Sequence, residues 1–95
     1  MVPDLHEISG IGEYTKKAEK DRTIYYIGDK AFLVKNKNTI EVRTDQNLSQ
    51  NLQEKYESVM ESRYFGRAGI EIVLSNQLKT DEIKDLIRLS YDLTI

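Results

Sequence analysis

The chain has 95 residues, with 14 basic and 16 acidic side chains, a net charge of −2 and no cysteine. That length suits one domain around a single core, and the missing thiols exclude disulfides and thiolate metal sites. The mixed charge gives no general attraction to phosphate, so a nucleic-acid site has to be a local basic patch. No stretch approaches the ~20 apolar residues of a membrane span, and residues 1–7 lack the basic start and apolar run of a signal peptide. A cytoplasmic domain with no membrane partner is the expectation.

Residues 1–22 carry little pattern. Lys16, Lys17, Glu19, Lys20, Asp21 and Arg22 make a charge-rich stretch that reads as a solvated turn or mobile loop. Regular structure is predicted from Thr23. Residues 23–27 have the β-branched and aromatic content of a strand, and Gly28 and Asp29 supply a tight hairpin turn. Residues 30–35 give a second strand with Phe32 and Val34 on one face. Asn36, Lys37 and Asn38 signal another turn, since Asn tolerates the left-handed region. Residues 39–43 then alternate, with Ile40 and Val42 inward and Glu41 toward solvent. These three strands form an antiparallel meander.

At Thr44 and Asp45 the period lengthens to that of a helix. Thr44 is the expected cap, with Asp45 at the positive end of the dipole. Leu48, Leu52 and Tyr56 follow at four-residue spacing, with Val59 close to their face. Arg63, Tyr64, Phe65, Gly66, Arg67, Ala68 and Gly69 read as a glycine-loosened basic turn. Ile70, Ile72 and Leu74 then share one face of a strand. Residues 78–95 make a closing amphipathic helix capped by Thr80, with Ile83, Leu86, Ile87, Ser90 and Tyr91 on its buried side. The fold class is therefore α+β: an antiparallel sheet, built from a three-stranded meander and a later strand, packed by two main helices.

The second half resembles the MmcQ/YjbR family of small bacterial and archaeal proteins. The resemblance is carried by Glu41, Val42, Arg43, Thr44 and Asp45 leading into a helix with Leu48, Leu52 and Tyr56, and by Val59 after it. Gly66, Arg67 and Ile70 stand at the family's basic turn. The ending Ser90-Tyr91-Asp92-Leu93 follows Asp81, Glu82, Ile83, Lys84, Asp85, Leu86 and Ile87. Ser9, Gly10, Ile11, Gly12 and Glu13 match the turn after the family's first helix, which is shortened or lost here. The tryptophan and histidines usual in the basic turn are also absent. The resemblance implies a single YjbR-like domain over residues 1–95, a curved sheet backed by helices in a double-wing arrangement related to CyaY, and a suspected DNA-binding role.

The residues themselves offer one candidate site. Arg63, Tyr64, Phe65 and Arg67 could hold nucleic acid, arginine by bidentate phosphate pairing and the aromatics by stacking. Lys35 and Lys37, at a hairpin tip, would add a wing-like contact. Against this stands a purely structural reading, in which Tyr64 and Phe65 are core and the arginines pair with Glu61 and Glu71. Residues 8–15 also resemble the hairpin of a helix-hairpin-helix motif, but residues 15–22 offer only Ala18 for the apolar stripe of its second helix.

No catalytic residue is assigned. His6 is the only histidine, and Asp4, His6 and Glu7 lack the spacing and further ligands of a zinc site. No nucleophile elbow, P-loop, metal site or cofactor motif is present. The expectation is a small non-enzymatic binding domain, with DNA as the first candidate partner. The alternative is a protein-interaction or dimerisation module using the Tyr25-Tyr26 strand or the first helix.

Overall fold

A computed structural model describes residues 5–95; Asp4, weighed above as a ligand beside His6 and Glu7, lies outside them. The chain forms β1 (Thr15–Ala18), β2 (Arg22–Ile27), β3 (Lys30–Asn36), β4 (Thr39–Arg43), α1 (Gln46–Lys55), β5 (Val59–Ser62), β6 (Gly66–Val73) and α2 (Thr80–Thr94), preceded by a 3-10 turn over Leu5–Glu7. The six strands make one antiparallel sheet in the order β1-β2-β3-β4-β6-β5. This is the α+β architecture expected, with two more strands.

The extra strands correct two expectations. Residues 15–18 pair with β2 although all four side chains are exposed; a strand with no buried face has no period-two signal to read. Residues 66–69 belong to β6, and Val59 begins β5 instead of extending the helix. The basic turn therefore shrinks to Arg63, Tyr64 and Phe65 at the tip of the β5–β6 hairpin.

One face of the sheet carries both helices. Across it run Tyr25, Leu33, Val42 and Ile70 in register, beside Ile40, Ile72 and Val59. Ile83, Ile87 and Tyr91 of α2 close over them. Phe32 joins this cluster while Val34 faces the other way. The cause is a bulge: Tyr25 opposes Leu33 and Tyr26 opposes Ala31, so Phe32 is the unpaired residue that resets the alternation. Edge-on rings link Tyr25, Phe32 and Tyr91, with centroids 5.2–6.4 Å apart.

The helix ends also differ from expectation. Asp45, not Thr44, caps α1, accepting from the Leu48 N–H at 2.7 Å. Lys79 occupies the cap position of α2, and Glu82 reaches back to its N–H at 3.2 Å, so Thr80 is already inside the helix. Tyr56 ends α1 and donates its hydroxyl to Glu82, which ties the two helices together. Residues 8–14 lie against α2, where Arg88 donates to Ser9 O and Tyr91 to Glu13 O. A strand follows them, so the helix-hairpin-helix resemblance has no second helix. Leu5 and Ile8 are buried in the main core, and the N-terminal segment is thereby built into the fold.

Ser90 joins α2 to the sheet. It is fully buried, accepts the Arg43 N–H at 2.8 Å and donates to Phe32 O. The latter carbonyl belongs to the bulge residue, which the ladder leaves unpaired. Replacing Ser90 with alanine strands both backbone groups and should cost about 1–3 kcal/mol. Ile87→Ala, at a site with no exposure, should cost about 2–5 kcal/mol, and Leu52→Ala less, because Leu52 is half-buried. Urea unfolding of the three variants checks the ranking.

Candidate functional site

The second face of the sheet carries no helix among the described residues. Ile24, Val34, Glu41, Glu71 and Met60 lie across it in register. Two carboxylates thus stand directly opposite each other on β4 and β6, each only 2% exposed. Glu41 was expected to face solvent; it does point away from the helices, but the β5–β6 tip folds back and covers it.

The tip residues hold both acids. Glu41 Oε1 accepts from Ser62 Oγ and the Tyr64 N–H, both at 2.9 Å, and its Oε2 accepts from Asn36 Nδ2 at 2.9 Å. Arg63 grips Glu71 through Nε at 2.9 Å and Nη2 at 2.8 Å, and Thr39 donates to the same carboxylate at 2.7 Å. Asn36 also donates to Thr39, so the two acids share one network. Asn36 therefore serves here through its side chain: its φ is not positive, and among the described non-glycine residues only Asn76 has a positive φ. Burial pushes the Glu41 pKa up, but the hydrogen bonds from Asn36, Tyr64 and Ser62 and the nearby Arg63 charge outweigh it and hold it below the usual carboxylate value.

Phe65 continues the cover. Its backbone N–H donates to Ser62 Oγ, and its ring packs over a small cluster of Ile24, Ala31 and Val34. The ring can lie there because residue 69 is glycine: a Cβ at Gly69 would stand 2.5 Å from Phe65 Cβ and 2.8 Å from Val42 O. Arg43 completes the arrangement, donating to Ala31 O at 2.8 Å with its guanidinium 4.8 Å from the Phe65 centroid.

Beside the tip is an open cavity of about 690 Å³ whose lining includes Lys20, Arg22, Asn36, Lys37, Glu41, Arg63 and Tyr64. Tyr64 is 39% exposed, with Arg22 lying over its ring at 5.5 Å. Burial and a hydrogen bond with Tyr26 raise the Tyr64 pKa. Arg22 is paired with Glu19 at 2.6 Å, and Arg63, though bound to Glu71, has a side chain 74% exposed.

Of the five residues singled out from the sequence, Arg63, Tyr64 and Lys37 meet at this cavity. Lys35 and Arg67 do not. Lys35 projects from the helix-bearing face, its ammonium 5.3 Å from the Tyr25 ring centroid. Arg67 lies in a separate groove with Gln46, Gln50, Gln53 and Glu61, and forms no ion pair with Glu61. The structural reading of the tip is thus half met: Arg63 pairs with Glu71 and Phe65 packs inward, while Tyr64 keeps a substantial exposed surface.

The residues that sequence reasoning passed over are Lys16, Lys17, Lys20 and Arg22. Pairing of β1 with β2 brings them to the corner of the sheet that holds Lys35 and Lys37. Lys16 and Lys35 are on the helix-bearing face and Lys17 is on the other, while Lys20, Arg22 and Lys37 line the cavity. Residues 15–22 and 35–37 contain six cations against Glu19 and Asp21, a local charge of +4, and the rest of the chain carries eight cations against fourteen acids, or −6. The acidic average conceals this corner.

No protein-family profile matches the sequence, and no curated protein matches it. Two solved structures share the fold. Deinococcus radiodurans protein DR2400, with a DUF419 domain, superposes with a TM-score of 0.77 at 10% identity, over 90% of this chain and 71% of that one. A Pseudomonas syringae protein gives 0.73 at 17% identity, over 86% of this chain and 87% of that one. At such identities the likeness is one of fold.

The Glu41 network has a pH consequence. Its pKa is lower folded than unfolded, so its contribution to stability is complete above the ordinary value of 4.5 and is lost as the pH falls through the folded value. Unfolding free energy should decline below about pH 4.5. Glu41→Gln should shallow that decline and cost about 1.5–3 kcal/mol at pH 7, as measured by urea unfolding across pH.

Proposed function

We propose that this protein is a non-enzymatic binding domain that receives nucleic acid at the corner formed by β1, β2 and the β3–β4 turn. The observation that carries the reading is the +4 charge gathered there on an acidic chain. A local field of that kind attracts phosphate while the remaining surface repels it, which favours one docking orientation. Lys17, Lys20 and Lys37 have no carboxylate within ion-pair distance among the described residues. They are available for phosphate contacts without first breaking a bond.

The sequence resemblance to the MmcQ/YjbR family, with its suspected DNA-binding role, points the same way. Glu41 and Glu71 are saturated by hydrogen bonds that hold the tip, and this argues for a structural use of the two acids over acid–base chemistry. The protein-interaction alternative has weaker support. The well-exposed apolar side chains Met60, Leu93 and Ile95 stand on β5 and at the end of α2, on different elements.

Binding to labelled DNA, followed by anisotropy across salt concentrations, tests the proposal. Affinity should fall steeply with salt. Replacing Lys17, Lys20 and Lys37 together with alanine should flatten the logarithmic slope by about two to three, whereas Arg67→Ala should leave it unchanged. No binding at low salt, or loss on Arg67→Ala alone, would contradict the assignment.

A further inference from the structure

We propose that the cavity beside the β5–β6 tip holds an unpaired nucleobase against Tyr64, so that the domain selects single-stranded over duplex nucleic acid. The inference rests on the nucleic-acid reading above and adds which form of the polymer is bound.

Three features combine. The first is the placement of Tyr64. Its backbone N–H is tied to Glu41 and its neighbour Arg63 is clamped to Glu71, so the tip is fixed from below by groups other than the ring. The ring has the Arg22 guanidinium over it and Phe65 beside it, and with Tyr64 as a residue 39% exposed it offers its open side as a stacking surface. The second is size. About 690 Å³ lies within the range of small-molecule sites and accommodates a base with its sugar, but it is a depression and not a projecting helix that could enter a groove.

The third is the division of charge within the cavity. Lys20, Arg22, Lys37 and Arg63 carry the positive charge, while Glu19, Asp21 and Glu41 line the same space. Glu41 is already saturated, so Glu19 and Asp21 are the acids that repel phosphate there and accept from the N–H groups of a base. A strand with its bases turned in and its phosphates on the lysines satisfies both sets. A duplex, whose base faces are stacked away and whose outer surface is phosphate, satisfies only the lysines.

The test compares a fluorescein-labelled 12-nucleotide single strand with the same sequence as a duplex, each also competed with inorganic polyphosphate. The single strand should bind at least about tenfold tighter than the duplex at equal salt and resist polyphosphate better. Tyr64→Ala and Tyr64→Leu should each weaken single-strand binding on the order of tenfold and leave duplex binding unchanged, while Tyr64→Phe retains it. Leucine keeps the bulk over Phe65 and Tyr26, so a loss common to both variants reports the missing π-face and not a collapsed tip. Equal affinity for strand and duplex, or Tyr64 variants that weaken both alike or neither, would overturn this proposal while leaving the cationic corner as a nucleic-acid site. Binding of neither would overturn both.

Discussion

Two carboxylates facing each other on adjacent strands, nearly out of water, impose a condition that several other parts of the molecule meet. Like charges opposite one another on a sheet destabilise it, and buried acids without partners cost more still. Glu41 and Glu71 escape that cost because Asn36, Thr39, Ser62, Arg63 and the Tyr64 amide supply six hydrogen bonds between them. Three of those donors are consecutive residues of the β5–β6 hairpin. The acids therefore determine where the hairpin tip lies, and the tip sets Phe65 over the second cluster and Tyr64 at the cavity.

This arrangement explains how a single sheet can leave one face without helices among the described residues. The first face is covered conventionally by α1 and α2, with Ser90 joining α2 to the bulge at Phe32. On the second, a three-residue turn and the side chains of Tyr26 and Phe65 shelter Ile24, Ala31 and Val34. The cover is partial, and the uncovered remainder is the cavity. Charge follows the same division: the cationic corner lies beside the opening, and the chain's acid excess lies elsewhere.

Much of the fold was legible because its periodicities are strong. The meander from Thr23 to Arg43, the helix through Leu48 and Leu52 and the stripe of Ile83, Ile87, Ser90 and Tyr91 all follow from spacing. What escaped did so for physical reasons. β1 has no buried face and no apolar residue except Ala18, so nothing in its sequence separates it from a loop. Glu41 alternates correctly with Ile40 and Val42, and only a distant hairpin turns its solvent face into a buried one. In the candidate site, Arg63, Tyr64 and Lys37 were recognisable by type, but Arg67 was grouped with Arg63 through sequence proximity. Arg67 already belongs to β6, past the tip, and lies in the α1 groove. The lysines of β1 were hidden by the same absence of pattern that hid the strand.

The cavity and the cations Lys17, Lys20 and Lys37 lie on or beside the face of the sheet that carries no helix among the described residues. The most direct measurement is amide chemical-shift mapping by NMR with a short single-stranded oligonucleotide at low salt. The account predicts perturbations concentrated at Lys17, Lys20, Arg22, Lys37 and Tyr64, with α1 and the Arg67 groove silent. Shifts centred on Gln46, Gln50 and Arg67, or spread evenly over the molecule, would contradict it.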